Sequence, residues 1–300
     1  MIIVFGSVNL DLVTEVPHIP APGETVIGPG FRSIPGGKGA NQAVAAARSG
    51  ARVAFVGAVG RDDFGTLALR SLAESGVDLA GVARVDTPTG VAFISVDARG
   101  ENAIVVAAGA NYAVDASQLA ALAAPPGSVL LLQREIRDEA LFAAVHLAGQ
   151  RGWRTMLNAA PSGRVPEDIL RRIDTLIVNE HEALHVAREA GLAAADAHGA
   201  AQDLHRSYGL TVVVTVGADG VVAFRDGVIH RQPAPRVEAI DTTAAGDSFV
   251  GTFAAAMDES RPFTEALRRG VVAGSLACTR TGAQDSIPDR AAVDACLRRA

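Results

Sequence analysis

The stretch Asp241-Thr-Thr-Ala-Ala-Gly-Asp-Ser-Phe249 is the most chemically informative segment of the chain. Ala244, Ala245 and Gly246 carry almost no side chain, so a helix starting here bares its first backbone N–H groups. Such a start attracts anions, because the free donors and the helix dipole act on the same point. Asp247 then adds a carboxylate. A carboxylate beside an anion hole suits the removal of a hydroxyl proton while a phosphoryl group gathers charge nearby. The plainer alternative is an ordinary cap, with Thr242 or Thr243 as N-cap and Asp247 favouring the dipole.

Gly36-Gly-Lys-Gly-Ala-Asn41 is a second glycine-rich entry into a helix. It is not a P-loop: Arg32 stands where the first glycine belongs, and Gly39 replaces the metal-binding Ser or Thr. Glycines around Lys38, followed by Asn41, suit close approach of a polyhydroxyl ligand, although a plain tight turn fits as well. His181-Glu-Ala-Leu-His185 matches the HExxH zinc pattern, with His198 and His205 as possible third ligands. The same letters parse as a capping box, Asn179 as N-cap and Glu182 at N3. Thr215-Val-Gly-Ala-Asp-Gly220, Gln133-Arg-Glu135 and Asn158 each close an apolar run. Together they place Asn9, Asp11, Glu135, Asn158, Asn179 and Thr215 at strand ends facing one crevice, where ligands of open α/β sheets sit.

The elements that must position these groups alternate. Short β-branched runs at Ile2–Phe5, Val53–Val56, Val129–Leu132, Arg154–Leu157, Thr175–Val178 and Thr211–Val216 are separated by Ala/Leu-rich helical periods. The helices include Ala40–Ser49, Phe64–Ser75, Glu139–Ala148 and Phe249–Met257. This rhythm predicts an α/β fold, a doubly wound and mostly parallel sheet with helices on both faces. Residues 11–35 and 80–108 break it. Leu12–Val16, Glu24–Ile27, Thr89–Val96 and Ala103–Ala107 read as strands without helices between them. They predict a small antiparallel β-sheet lid inserted into one domain spanning residues 1–300.

Composition narrows the function classes. The chain has 300 residues, 49% apolar and 20% charged, which excludes disorder and fibrous classes. A net charge of −6 and 4% aromatics disfavour nucleic acid as a partner. Cys278 and Cys296 form no CxxC pattern, and no apolar run approaches the ~20 residues a bilayer requires. Met1–Gly6 reads as a first strand and not a signal peptide, so a cytoplasmic location is expected.

The motifs Gly6–Asp11, Pro20–Thr25, Gly36–Val44, Asp241–Phe249 and Thr279–Gln284 occur in one order across nearly the whole chain. In that combination the sequence resembles the ribokinase (PfkB) family of sugar kinases. The resemblance implies transfer of the ATP γ-phosphoryl group to a primary sugar hydroxyl, D-ribose in the first instance, or to another sugar or nucleoside. By matching positions it implies Asp247 as base and Ala244, Ala245 and Gly246 as anion hole. Asn9, Asp11, Gly37, Lys38, Gly39, Asn41 and Glu135 would hold the sugar. Asn179, Thr215, Gly217, Gly220 and Gly246 would line the nucleotide site, and Glu182 would orient Mg²⁺ through water. A monovalent cation, K⁺, would sit at Asp241, Thr243, Ala277, Arg280, Gly282 and Ser286, several through carbonyl oxygens. A homodimer through the lid is also implied. Val271 departs from the polar residue the family often carries near adenine, Ala159 and Asp285 replace frequent prolines, and Arg134 stands beside Glu135.

Overall fold

A computed structural model describes residues 1–299. The chain opens with β1 (Ile2–Phe5), β2 (Asn9–Glu15), β3 (Phe31–Gly36) and α1 (Lys38–Arg48). Next come β4 (Val53–Gly60), α2 (Asp63–Ala68), α3 (Arg70–Glu74), β5 (Asp78–Val85), β6 (Gly90–Val96) and β7 (Asn102–Ala107). The central part holds α4 (Ser117–Ala120), β8 (Val129–Leu132), α5 (Asp138–Arg151), β9 (Arg154–Asn158), α6 (Glu167–Leu170) and β10 (Thr175–Asn179). Then follow α7 (Glu180–Glu189), α8 (Ala197–Tyr208), β11 (Thr211–Thr215), β12 (Val221–Arg225) and β13 (Val228–Gln232). Three helices close the chain: α9 (Ala245–Asp258), α10 (Phe263–Ala277) and α11 (Arg290–Leu297). None of the helices among the described residues is long and apolar enough to cross a membrane.

The large sheet has nine strands in the order β13-β12-β11-β10-β9-β8-β1-β4-β5. It is parallel from β11 to β5, and only the β11–β12–β13 hairpins run antiparallel. Its strands lack polar alternation because both faces are covered. Ile3, Phe5, Leu130 and Leu132 pack into one apolar cluster. Their neighbours Ile2, Val4, Val129 and Leu131 pack into another with α1, α9 and α10. Burying both sets from water is the main drive for this doubly wound arrangement.

The second sheet has four strands, β3-β2-β6-β7. Its outer pairs are antiparallel, whereas the central β2–β6 pair is parallel, Asn9 facing Gly90 in register. The geometry follows from the main sheet: β2 continues β1 after a short bend, and β6 leaves the same end after β5. Glu24–Ile27 is not a strand. That edge is β3 instead, whose Pro35 is tolerated because an edge strand need not donate on both sides. The expected Phe64–Ser75 helix is interrupted at Leu69, which separates α2 from α3.

Candidate active site

α9 starts without a side-chain cap. Its N-cap residue is Ala244, held in the left-handed region at φ 59°, and neither Thr242 nor Thr243 caps it. The first-turn N–H groups of Gly246 and Asp247 are left without helical acceptors, as every helix start leaves them. The Asp247 carboxylate takes its hydrogen bonds from α1 and not from its own helix. It is buried, and it accepts Asn41 Nδ2–H at 2.9 Å on Oδ2 and Gln42 Nε2–H at 2.9 Å on Oδ1. The Thr N-cap of the ordinary-cap alternative is therefore absent, while Asp247 does stand in the first turn.

α1 reaches Asp247 because the two helices touch at Gly251. A Cβ there would lie 2.4 Å from the Gln42 carbonyl oxygen and 2.6 Å from Ala45 Cβ. α1 itself starts at Gly37, whose φ of 90° suits glycine and which offers no side-chain cap. The missing cap comes from a distant strand end: Glu135 Oε2 accepts the Lys38 backbone N–H at 2.9 Å and the Ser7 hydroxyl at 2.6 Å. Ser7 Oγ in turn accepts the Gly39 N–H at 3.2 Å. Glu135 is thus half committed to holding the glycine loop, with Oε1 left over.

Asn9 and Asp11 enter from β2. Asn9 is buried and its Oδ1 accepts Asn111 Nδ2–H at 2.7 Å, while Asn111 Oδ1 accepts the Val8 N–H at 2.9 Å. The Asp11 carboxylate takes no hydrogen bond from a described residue. Burial first, then the charges of Glu135 and Asp247, push its carboxyl up to about 7. Lys38 balances this acidic group. Asp247 foremost, and also Glu135 and Glu182, hold its ammonium above the usual value against the opposing pull of burial. Asp11, Lys38, Glu135, Glu182 and Asp247 are thus close enough for their charges to act on one another, near the carboxyl end of the sheet, the position where open α/β sheets bind ligands.

Asn179 and Thr215 sit opposite each other at the ends of β10 and β11. Gly217 lies in the exposed turn beyond, whereas Gly220 is packed under the β13 end, where a Cβ would meet the Gln232 carbonyl oxygen at 2.2 Å. The capping box is formed: Asn179 Oδ1 accepts the Glu182 N–H at 2.8 Å, and Glu182 Oε2 accepts the Asn179 N–H at 2.8 Å. Burial raises the Glu182 carboxyl, opposed by the Asn179 amide and by Lys38. The zinc alternative falls with this. No group of three His, Cys, Asp or Glu among the described residues is arranged to hold a metal. His198 pairs with Arg231, and His205 bonds the Leu210 carbonyl and the Gly227 amide.

The loops holding the expected cation ligands lie side by side. Asp241 accepts the Thr243 N–H at 2.8 Å and the Gly282 N–H at 2.9 Å. Burial pushes the Asp241 carboxyl up, but the Thr243 side chain and those two amides outweigh it and hold it low. The Ser286 hydroxyl donates to the Ala283 carbonyl at 2.8 Å, and the Arg280 N–H donates to the Ala277 carbonyl at 3.3 Å. Arg134 turns onto Asp138, both carboxylate oxygens at 2.9 Å, so it does not pair with Glu135. Val271 is core, in the apolar cluster of Phe249. Asn158 does not face the crevice: it is buried, accepting Gln42 Nε2–H at 3.0 Å and donating to the Ile177 carbonyl at 3.1 Å.

Sequence reasoning missed Ser7, Gln42 and Asn111. Each acts on a residue at least 30 positions away or on another helix, so no local spacing marks it.

The chain is 39% identical over 293 residues to the ribokinase of Haemophilus influenzae, covering 96% of this chain and 95% of that one. The crystal structure of a Thermotoga maritima ribokinase superposes with a TM-score of 0.90 at 36% identity, covering 99% of both chains. An Arabidopsis thaliana ribokinase, complexed with ribose and ATP, gives 0.86 at 31% identity, with 99% of this chain and 98% of that one covered. The family model for pfkB carbohydrate kinases matches residues 1–290. With a buried carboxylate, a bare helix start and a glycine loop in the arrangement above, and that match over nearly its whole length, this chain belongs to the pfkB family of carbohydrate kinases.

Proposed function

We propose that this chain transfers the γ-phosphoryl group of ATP to the primary hydroxyl of D-ribose, giving ribose 5-phosphate. The observation that carries the reading is Asp247: a buried carboxylate, oriented by two amides, at the start of a helix whose first N–H groups have no cap. Asp247 accepts the sugar hydroxyl proton as the oxygen attacks, and the Ala244–Gly246 backbone steadies the charge on the phosphoryl group. Asn9, Asp11, Lys38, Asn41 and Glu135 hold the sugar, with Gly37 and Gly39 letting it approach the backbone. Asn179, Thr215, Gly217 and Gly220 border the nucleotide.

Mg²⁺ brought with the nucleotide neutralises phosphate charge when bound. Glu182 fits a role beside it, since one oxygen of this buried carboxylate takes no bond from a described residue. The hydroxyl, carboxylate and carbonyl oxygens of Asp241, Thr243, Ala277, Arg280, Gly282 and Ser286 suit a monovalent cation such as K⁺ on two adjoining loops. The chain works as one catalytic unit, with the β2-β3-β6-β7 sheet as its lid. That sheet exposes Phe31, Phe93, Ile104, Val105 and Val106 on strands that include its free edge β7, which supports a homodimer formed through the lid. ATP use and two free cysteines suit a cytoplasmic location.

ADP release over a panel of pentoses, hexoses and nucleosides, each with potassium and with sodium, tests the reading. Release with D-ribose above all others is expected. No release with D-ribose refutes the substrate, and release with a different sugar redirects it within the family.

A further inference from the structure

Asp247 stands at the head of a buried chain of side-chain amides whose direction its charge dictates. A carboxylate only accepts hydrogen bonds, so Gln42 must turn its Nε2 toward Asp247, at 2.9 Å. That leaves Gln42 Oε1 on the far side, where it accepts Gln133 Nε2–H at 2.7 Å. Gln42 Nε2 also donates to Asn158 Oδ1, so Asn158 must donate onward, and it does so to the Ile177 carbonyl. The other oxygen imposes the same order: Asn41 Nδ2 faces Asp247, and Asn41 Oδ1 accepts Gln284 Nε2–H at 3.1 Å. The polarity runs out at Gln133 Oε1 and Gln284 Oε1, buried acceptors that no described residue supplies with a donor. Unpaired oxygens at the two outer ends, and none in between, are what an orientation imposed from the carboxylate leaves behind.

We infer that Gln42, backed by Gln133, is a positioning residue for the phosphoryl transfer, fixing the plane in which Asp247 meets the sugar hydroxyl. A carboxylate held through one oxygen swivels about its Cβ–Cγ bond, whereas one held through both does not. Asn41 supplies one of those bonds and reaches the crevice itself. Gln42 supplies the other and is fully buried, as is Gln133, so neither touches a substrate. Their influence therefore falls on turnover and not on affinity.

The inference rests on Asp247 being the base, and the experiment separates the two. The variants Gln42→Met, Gln133→Met and the double substitution preserve length and approximate volume while removing the amides. For each, kcat and the KM for D-ribose and ATP are measured alongside the urea midpoint. Loss of one hydrogen bond to a charged group predicts a fall in kcat of about 10- to 100-fold for Gln42→Met, with both KM values within about threefold. Gln133→Met is expected to lower kcat roughly two- to tenfold. The double variant should be no slower than Gln42→Met within about twofold, because Gln133 acts only through Gln42. A Gln42→Met enzyme within threefold of the native kcat overturns the inference, as does a double variant in which the two losses multiply. Should Gln42→Met fail to fold, Gln133→Met decides: an unchanged kcat overturns the inference, a lowered kcat at constant KM upholds it. A native protein with no sugar-dependent ADP release, or an Asp247→Ala variant of near-native rate, would instead remove the kinase reading beneath it.

Discussion

Replacing Asp11 by Asn should stabilise the substrate-free protein, and by an amount that depends on pH. The carboxyl ordinarily titrates at 3.8, and burial together with Glu135 and Asp247 raises it to about 7 in the fold. Between those values the folded chain keeps a proton that the unfolded chain has released. The stability tied to protonated Asp11 is therefore complete below pH 3.8, and it is lost as the pH climbs to 7. At about 1.4 kcal/mol per unit, a rise of roughly three units amounts to about 4 kcal/mol. Asn carries no charge at any of these pH values, so the variant escapes the loss. Urea unfolding of both proteins at pH 5, 6, 7 and 8 would show the advantage of Asp11→Asn growing by roughly 3 kcal/mol and levelling off above pH 7. Curves that stay parallel within about 0.5 kcal/mol from pH 5 to 8 would refute the burial of Asp11 beside Glu135 and Asp247 argued above. Ribose affinity of the native protein should rise over the same window, since an ionised Asp11 is the stronger acceptor for sugar hydroxyls.

Asp247→Asn keeps the shape of the site but removes the proposed base, and kcat should fall by about 10²- to 10⁴-fold with the ribose KM little changed; steady-state ADP release measures both. Gly251→Ala drives a methyl group into the Gln42 carbonyl and Ala45, and should cost roughly 1–3 kcal/mol in urea unfolding while also lowering kcat. Asn111→Ala leaves the buried Val8 N–H unpaired and Asn9 unsupported. It should cost about 1–3 kcal/mol of stability and raise the ribose KM, with the ATP KM unaffected.

The large sheet was legible because burial on both faces writes itself as runs such as Val129–Leu132 and Val212–Val214, with Gly50 and Gly76 marking helix ends. The lid was legible only as an interruption. Glu24–Ile27 reads as one of its strands, whereas strand pairing with Asp11 and Val13 is made by Ile34 and Arg32 of β3. A Pro-Gly pair inside that strand hides it from local rules, and only its place at the edge excuses it. Asp247 and the glycine loop announced themselves through residue type. Their supports did not: Asn111 reaches Val8 across 103 positions and Glu135 caps Lys38 across 97. Such contacts are set by how helices and strands pack, and no spacing within one segment encodes them.

β2 runs on from β1, an interior strand of the large sheet, and it carries Asn9 and Asp11, which are themselves paired to β3 and β6 of the lid. On the proposed sugar site, the part that reads the sugar and the part that covers it are one piece of backbone. Selectivity and enclosure then share their residues. A substitution that admits a different sugar at Asn9 or Asp11 also resets how readily the cover shuts. Retuning this enzyme toward a new acceptor would accordingly call for compensating changes elsewhere in the lid sheet, on β6 or β7.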